Sequence, residues 1–319
     1  MTEVRDFSEK LIGNIEQVII GKQEAIKLMV VNLLSEGHLL IEDVPGVGKT
    51  MLARSLARSL GLSFHRIQFT PDMLPSDVTG VSIFNQVSRE FEFRPGPLFA
   101  QVLLADEINR ATPKTQAALL EAMEEAHVTI DGFSHELPDP FVVLATQNPI
   151  EYEGTFPLPE AQLDRFLMRI RLGYPDFDSE VEVLNSQQHR HPFESITKVV
   201  DVIEVKRMQD MIKNVFVADP VRDYIVSLTR ETRQHKDAYL GASTRGSLAL
   251  FRAGQAMAAM EGREYVLPDD IKALAVPCLA HRVILGPSAR LGEVNTEEIV
   301  TEVIESVAVP TQKLTPAAG

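Results

Sequence analysis

Residues 39–50 decide the fold, and they read Leu39-Leu40-Ile41-Glu42-Asp43-Val44-Pro45-Gly46-Val47-Gly48-Lys49-Thr50. An apolar run leads through a turn with two glycines into a helix start, which is the arrangement that a phosphate-binding loop needs. Gly46 and Gly48 let the backbone curl around phosphates and present N–H groups at the amino end of a helix. Lys49 would reach the β- and γ-phosphates, and the Thr50 hydroxyl would bind Mg²⁺. The stretch therefore predicts a site for ATP and its magnesium ion.

The loop departs from the strict phosphate-binding pattern at one position. The pattern has glycine at position 43, whereas this chain has Asp43, so the start of the turn must accommodate a side chain. The alternative interpretation is a glycine-rich turn that ends in Lys-Thr by chance, and the apolar run before the turn disfavours it. The positions predicted to contact the nucleotide here are Pro45, Gly46, Val47, Gly48, Lys49, Thr50 and Met51.

A second apolar run, residues 102–105, ends abruptly in two acidic residues, Asp106 and Glu107. In phosphate-loop proteins an acid at this point holds the magnesium ion, and the next one can orient the attacking water. We therefore predict Asp106 as the magnesium partner beside Thr50, and Glu107 as the general base. The alternative is a strand that merely ends in solvated carboxylates, but the two motifs occur in the order that a nucleotide site requires. A base at Glu107 favours ATP hydrolysis over phosphate transfer to a small acceptor.

A third apolar run, residues 142–146, is followed by Gln147-Asn148-Pro149. Ligands of parallel α/β sheets bind at the carboxyl ends of the strands, where Asn148 would lie. We predict that its amide positions the water relative to the γ-phosphate. An Asn-Pro pair alone would only indicate a turn, so this prediction depends on the two preceding motifs.

The first half of the chain alternates apolar runs with amphipathic stretches, which predicts an α/β fold with a parallel sheet covered on both faces. Residues 49–60 and 113–125 are predicted helices. Residues 80–93 and 128–133 interrupt the alternation and predict two hairpins, the second with an Asp-Gly turn. The predicted strands are residues 38–42, 64–69, 102–106, 141–146 and 167–172.

A length of 319 residues exceeds what a single core usually supports, which favours two domains. The pattern after Tyr174-Pro175 predicts helices only, so we expect domains at residues 1–175 and 176–319. Helix starts are predicted at Asp219-Pro220, at Ser243 or Thr244, at Pro268 and at Asn295, and Pro277 predicts a kink or break.

Composition excludes several classes of protein. The single Cys278 excludes an intramolecular disulfide framework and a cysteine-rich metal site. The start of the chain lacks the pattern of a secretory signal, and no apolar run approaches the roughly 18 residues of a membrane span, so we expect a cytoplasmic protein without membrane insertion. The net charge of −14, from 31 Lys and Arg against 45 Asp and Glu, makes nucleic acid an unexpected partner.

These motifs together resemble those of the AAA+ ATPases and, more narrowly, of the MoxR family. The resemblance implies a five-stranded parallel αβα sandwich, a P-loop NTPase domain, followed by an all-helical lid domain. It covers nearly the whole chain, and its motifs stand in the family's order. They lie at residues 42–50, 104–111, 145–149, 154–166 and 241–245.

The resemblance also implies roles that the residues alone do not give. Arg165 corresponds to an arginine finger inserted into a neighbouring subunit's ATP site; a surface salt bridge with Asp164 or Glu160 is the alternative. Arg245 corresponds to a sensor arginine of the lid that contacts the γ-phosphate within its own chain. Ile20 and Gly21 correspond to the segment near adenine. The two predicted hairpins match elements that face the central pore in relatives.

The resemblance implies Mg²⁺-dependent ATP hydrolysis in a hexameric ring of identical chains, driving chaperone-like assembly, activation or remodelling of protein clients. A partner with a von Willebrand factor A domain is also implied. Two alternatives stay open from the sequence: a motor acting on nucleic acid, and a nucleotide-sensing module with little turnover.

Overall fold

The computed structural model describes residues 1–149, 154–188, 192–292 and 294–310. Its strands are β1 (Leu39–Glu42), β2 (Phe64–Gln68), β3 (Gly80–Asn85), β4 (Glu90–Pro95), β5 (Val102–Asp106), β6 (His127–Ile130), β7 (Phe133–Glu136), β8 (Val142–Gln147), β9 (Met168–Ile170), β10 (Ala238–Leu240) and β11 (Ile284–Leu285). Five of them, in the order β2-β5-β8-β1-β9, form one parallel sheet.

The helices surround this sheet and form most of the chain after it. They are α1 (Thr2–Glu16), α2 (Gln23–Leu34), α3 (Lys49–Leu60), α4 (Pro75–Thr79), α5 (Pro113–Glu125), α6 (Glu160–Leu163), α7 (Phe177–Ser186), α8 (Val202–Ile212), α9 (Asp219–Thr232), α10 (Thr244–Met260), α11 (Pro268–Leu279), α12 (Pro287–Leu291) and α13 (Thr296–Ser306). Among the residues described, no helix is both long and apolar enough to span a membrane.

The sheet is buried on both faces, as a parallel sheet requires. Val102 and Leu104 of β5 belong to one apolar cluster, which also includes side chains of α1, α2 and α3. Leu103 and Ala105 belong to a second cluster, which includes side chains of α5. Successive residues of a strand point to opposite faces, so the two clusters are the two sides of an αβα sandwich. The five predicted strands are confirmed, with ends that differ by at most two residues.

Both predicted hairpins are confirmed. Strand β3 pairs antiparallel with β4, and β6 pairs with β7 through a turn at Asp131 and Gly132. Both turn residues have positive φ, 52° and 84°, as the turn of a tight hairpin requires. The rings of Phe93 and His135 stack with centroids 3.9 Å apart, so the two hairpins lie side by side.

The C-terminal region is helical, with one addition that the sequence did not predict: a short antiparallel pair, β10 with β11. Ser243 caps α10 by accepting the N–H of Arg245, and Asn295 forms the predicted capping box with Glu298. Asp219 was predicted as the N-cap of α9, but it is the first residue of the helix, and Ala218 is the N-cap. Helix α11 continues two residues past Pro277 and then tightens into a 3₁₀ turn.

Candidate functional site

The loop between β1 and α3 has the shape of a phosphate cradle. Gly46 and Gly48 have φ of +87° and +93°, a region that favours glycine, and a Cβ at either would meet no described atom within 4 Å. The open space therefore lies directly against the backbone. Gly48 is the N-cap of α3, so the N–H groups of the first helical turn, which helix geometry leaves without acceptors inside the helix, lie at this end of the loop. Pro45 lies exposed at the outside of the loop.

Asp43, which replaces the glycine of the usual pattern, connects the loop to the last strand of the sheet. Its carboxylate is buried and accepts the N–H groups of Leu172 and Gly173, both at 2.6 Å, and that of Val44 at 2.8 Å. Its carbonyl oxygen accepts the Nζ of Lys49 at 2.7 Å. The side chain is therefore accommodated by bonding the start of the loop to the segment that leaves β9 toward the C-terminal region.

A cavity of about 270 Å³ lies beside the loop, next to the segment predicted to lie near adenine. Ile20, Val47 and Met51, all predicted nucleotide contacts, line it. Gly21 does not line it; a Cβ there would lie 2.2 Å from the Oγ of Ser179, so this glycine allows the chain to approach α7 closely. The sequence did not predict that the start and end of α7 complete the wall. The described residues on that wall are Pro175, Val183, Ser186, Gln187 and Pro192.

Asp106 ends β5 at the carboxyl edge of the sheet, with both carboxylate oxygens bonded. Oδ2 accepts two N–H groups of Arg66, at 2.6 and 3.0 Å, and Oδ1 accepts the hydroxyl of Thr146 at 2.6 Å. Arg66 lies on the neighbouring strand β2, and its side chain is 45% exposed. Because an ion pair of an exposed arginine contributes little stability, Arg66 can move away from Asp106 and make room for a magnesium ion at this carboxylate.

Glu107 follows in a strained backbone conformation, with φ of +55°, which is uncommon for a residue with a side chain. Its N–H donates to the Thr146 hydroxyl at 2.8 Å. Its Oε2 accepts Gln68 at 2.8 Å and Arg110 at 3.0 Å. The strain and these bonds turn the carboxylate out of the strand and hold it next to Asp106.

Asn148 lies at the same edge, directly after β8, and is 5% exposed. Its carbonyl oxygen accepts the side-chain amide of Asn109 at 3.4 Å. Because β8 is the strand between β5 and β1, Asn148 lies between the acidic pair and the phosphate loop. The predicted motifs for phosphate binding, magnesium binding and water positioning thus meet at one edge of the sheet.

The residues present fit a magnesium ion bound with ATP. Thr50 lies in the first turn of α3, and Asp106 lies at the same carboxyl edge of the sheet. A hydroxyl and a carboxylate are hard oxygen ligands, which Mg²⁺ prefers, together with water and substrate phosphates. These two side chains would hold the ion.

The two predicted arginines, by contrast, lie at the opposite edge. Arg165 pairs with Glu124 at 2.9 Å, and Arg245 pairs with the same carboxylate. Gly37 and His38, the residues immediately before β1, line the cavity that these arginines share. The phosphate loop follows the other end of β1, and four strand residues at about 3.3 Å each separate the two edges by about 13 Å.

Both arginines lie away from the predicted nucleotide site of their own chain. Arg245 was expected to contact ATP within its own chain, but the described residues lining the cavity beside the phosphate loop do not include it. The reason is that Ser243, the cap of its helix, donates to Asp164 and so holds the start of α10 at the arginine edge. The alternative salt bridge of Arg165 with Asp164 or Glu160 is replaced by one with Glu124 on α5.

The cavity at this edge measures about 370 Å³ and is rich in charge. Four arginines and three carboxylates line it, so cations exceed anions. His38 bonds two backbone groups there: its Nε2 donates to the carbonyl of Met123 at 3.0 Å, and its Nδ1 accepts the N–H of Val143 at 3.1 Å. Burial lowers the pKa of His38 to about 4, so the ring is neutral near pH 7. The charged residues of this wall are Glu36, Glu124, Asp164, Arg165, Arg245, Arg252 and Arg282.

Sequence reasoning missed the residues that hold the acidic pair. One signal was present: Arg66 and Gln68 are polar residues two apart within a predicted strand of a buried sheet. That spacing places both on one face of β2, and Gln68 is in register with Asp106. Thr146 gave a similar signal as a polar residue at the end of an apolar run.

Comparisons with known proteins agree with this architecture. Residues 38–168 match the family profile described as "ATPase family associated with various cellular activities (AAA)", and residues 230–303 match the one described as "AAA lid domain". The fold and the site thus define an AAA+ ATPase with a lid.

Similar full-length proteins narrow the class. YeaC of Bacillus subtilis is 53% identical over 95% of both chains. The chaperone MoxR1 of Mycobacterium tuberculosis is 40% identical over 98% of this chain and 84% of its own. A crystal structure from Cytophaga hutchinsonii shares 40% identity with a TM-score of 0.89, covering 97% of this chain and 96% of that one. The chain belongs to the MoxR family of AAA+ ATPases, which confirms the resemblance seen in its motifs.

Proposed function

We propose that this protein hydrolyses ATP at sites shared between adjacent chains of a hexameric ring, and that it uses this reaction to assemble, activate or remodel protein clients in the cytoplasm. The observation that carries the proposal is the separation of Arg165 and Arg245 from the phosphate loop across the length of β1. A chain with its arginines at one edge and its phosphate cradle at the other completes a site only with a neighbour. Head-to-tail contacts of this kind form a ring when the rotation between neighbours closes.

The phosphate edge would bind and orient ATP. The N–H groups after Gly46 and the Nζ of Lys49 would bind the phosphates, with Lys49 exchanging the Asp43 carbonyl for a phosphate oxygen. Magnesium, when bound at Thr50 and Asp106, supplies charge neutralisation at the β- and γ-phosphates. Glu107 would accept a proton from the attacking water, and Asn148 would orient that water.

The arginine edge of the neighbouring chain would complete the site. Glu124 holds the guanidinium groups of Arg165 and Arg245 together in the free chain. Both would exchange this carboxylate for the γ-phosphate oxygens, whose charge they stabilise in the transition state. Hydrolysis would therefore be slow in an isolated chain and fast in the assembled ring.

The hairpins are the part of the molecule suited to contact a client. Phe91 and Phe133 are 73% and 71% exposed, and Phe84 packs edge-on against Phe91. Exposed aromatic side chains grouped on adjacent hairpins indicate a protein-binding surface. The similarity to the chaperone MoxR1 supports a protein client, and we propose a von Willebrand factor A domain protein as the partner.

ATPase activity measured against protein concentration tests the proposal. We expect the rate per chain to rise steeply as chains associate, and Arg165→Ala to lower the associated rate by about 10³–10⁵-fold while ATP still binds. Arg230→Ala, an exposed arginine of α9, is the matched control and should behave as wild type. A wild-type rate per chain that is independent of concentration would contradict the shared site.

A further inference from the structure

Arg282 lies buried where the C-terminal region meets the segment that carries Arg165. It ends the 3₁₀ turn Ala280–Arg282, and its side chain is 3% exposed. Its guanidinium donates to four oxygen atoms of residues 164–167: Oδ1 of Asp164 at 2.8 Å, and the carbonyls of Asp164 at 3.3 Å, Phe166 at 2.6 Å and Leu167 at 3.1 Å. It also donates to the carbonyl of Cys278 and lies 2.9 Å from Nε2 of His281.

These contacts reach both predicted arginines. Residues 164–167 include Arg165 itself, so its backbone is bracketed by acceptors that Arg282 holds. The second carboxylate oxygen of Asp164 accepts the hydroxyl of Ser243 at 2.8 Å, and Ser243 caps the helix turn that carries Arg245. One buried cation therefore connects the segment of Arg165, the end of α11 and the start of α10.

We infer that Arg282 is a positioning residue that fixes Arg165 and Arg245 relative to each other, so that the ring presents both to the neighbouring ATP site as one rigid unit. The inference rests on the proposed shared site. Arg282 would not touch the nucleotide, because its side chain is buried beneath Arg165 and Arg245. Its effect on the reaction passes entirely through the two arginines that it supports.

The chemistry of the contacts explains why arginine is required. A planar guanidinium presents five N–H donors in a fixed fork and can bond a carboxylate and several carbonyls at once. A lysine ammonium keeps the charge but has three donors at a single point. Arg282→Lys would therefore retain a cation near Asp164 and lose the geometry that aligns residues 164–167.

Steady-state kinetics of Arg282→Lys separates positioning from folding. A misplacement of about 1 Å can cost about 10²-fold in rate, so we expect kcat of the assembled protein to fall by up to about 10²-fold. The KM for ATP and the affinity for a fluorescent ATP analogue should stay at the wild-type values, because the phosphate edge is intact. An unchanged kcat, or a raised KM with an unchanged kcat, would overturn the inference.

Mixing two impaired variants provides the decisive test. In a mixture of Arg282→Lys with Lys49→Ala, the first chain supplies an intact phosphate loop and the second supplies correctly held arginines. We expect ATPase activity well above the sum of the two variants measured separately. A merely misfolded Arg282→Lys chain would show no such rescue. Asp164→Asn, which removes the charge of the main acceptor and keeps its size, should be rescued in the same way and serves if Arg282→Lys folds poorly.

The mixture of Arg165→Ala with Lys49→Ala tests the shared ATP site without changing Arg282. It therefore distinguishes a failure of the proposed function from a failure of the role of Arg282. Rescue in that mixture without rescue of Arg282→Lys or Asp164→Asn would overturn the role of Arg282 alone. Absence of rescue in every mixture would overturn the shared site, and the role of Arg282 with it.

Discussion

The phosphate edge and the arginine edge of the sheet are built in different ways. Residues 43–51 supply most of the phosphate cradle as one continuous segment. The arginine edge takes Glu124 from α5, Arg165 from the loop before β9, Arg245 from α10 and Arg282 from the turn after α11. The phosphate cradle is local in the sequence, whereas the arginine edge exists only once the chain has folded.

The two edges are therefore vulnerable to different changes. The loop keeps its shape mainly through its own glycines and helix cap, and Asp43 adds one long-range tie to Leu172 and Gly173. The arginine edge depends on contacts between residues more than a hundred positions apart, such as Arg282 with Asp164. Its geometry therefore responds to any movement of the C-terminal helices against the sheet.

At the phosphate edge, Glu107→Gln should have a larger effect than the changes at Arg245 and His38 described below. Losing the general base should lower kcat by about 10²–10⁴-fold, while ATP binding is retained because the loop is untouched. ATPase assays together with nucleotide-binding titrations measure both quantities. Glu121→Gln, an exposed glutamate of α5, is the control. Hydrolysis at the wild-type rate would show that Glu107 is not the base, and would favour a different acceptor for the proton.

Arg245→Ala decides to which edge this residue belongs in the working protein. Removing one donor to the developing charge should lower kcat by about 10²–10³-fold. Mixed with Lys49→Ala, the variant should regain activity if Arg245 acts on the neighbouring chain. If Arg245 acts within its own chain, each chain in the mixture carries a defective site, and the mixture should stay inactive. ATPase rates of the mixtures distinguish the two.

The smallest expected effect concerns His38, which supports the arginine edge without chemistry of its own. The pKa of His38 in the folded chain is about 4, below the ordinary 6.5 of the unfolded chain. As the pH is lowered below 6.5, the unfolded chain takes up the proton before the folded chain does, so the free energy of unfolding decreases. From pH 7 to pH 5 this residue should cost about 2 kcal/mol of unfolding free energy. Urea unfolding should show that the free energy of unfolding of His38→Gln lies below that of wild type at pH 7, and that this difference is smaller by about 2 kcal/mol at pH 5.

The control for this measurement is His65→Gln, because His65 is an exposed histidine. It measures what the same substitution does to stability at a position outside the core. A deficit of His38→Gln that does not change between pH 7 and pH 5 would show that His38 is not a neutral, buried link between β1 and α5.

Much of the phosphate edge could be predicted from the sequence because its information is local. The apolar run, the glycines and Lys49-Thr50 are consecutive, and the acids at 106 and 107 end a run of their own. The sheet and both hairpins followed from the alternation of apolar runs with turn residues. Each of these patterns depends only on residues that are close together in the sequence.

The parts that could not be predicted depend on packing between distant segments. Nothing near Arg245 in the sequence reveals that Ser243 bonds Asp164, 79 positions earlier. Arg66 could be predicted to bond Asp106 only if it were known that β2 lies next to β5. The pair of β10 with β11 joins two runs of three and two residues, too short for any periodic pattern to appear.

The two amino-terminal helices have a practical consequence. Helices α1 and α2 both pack against α8 and α10 of the C-terminal region, and α1 also packs against α3. Val4, Leu11 and Ile15 of α1 are fully buried. Residues before 38 lie outside both family profiles, which makes them tempting to remove when a minimal fragment is designed. Trimming them would strip the apolar cover from the C-terminal helices and remove one wall of the nucleotide cavity, so a useful fragment has to keep its first 34 residues.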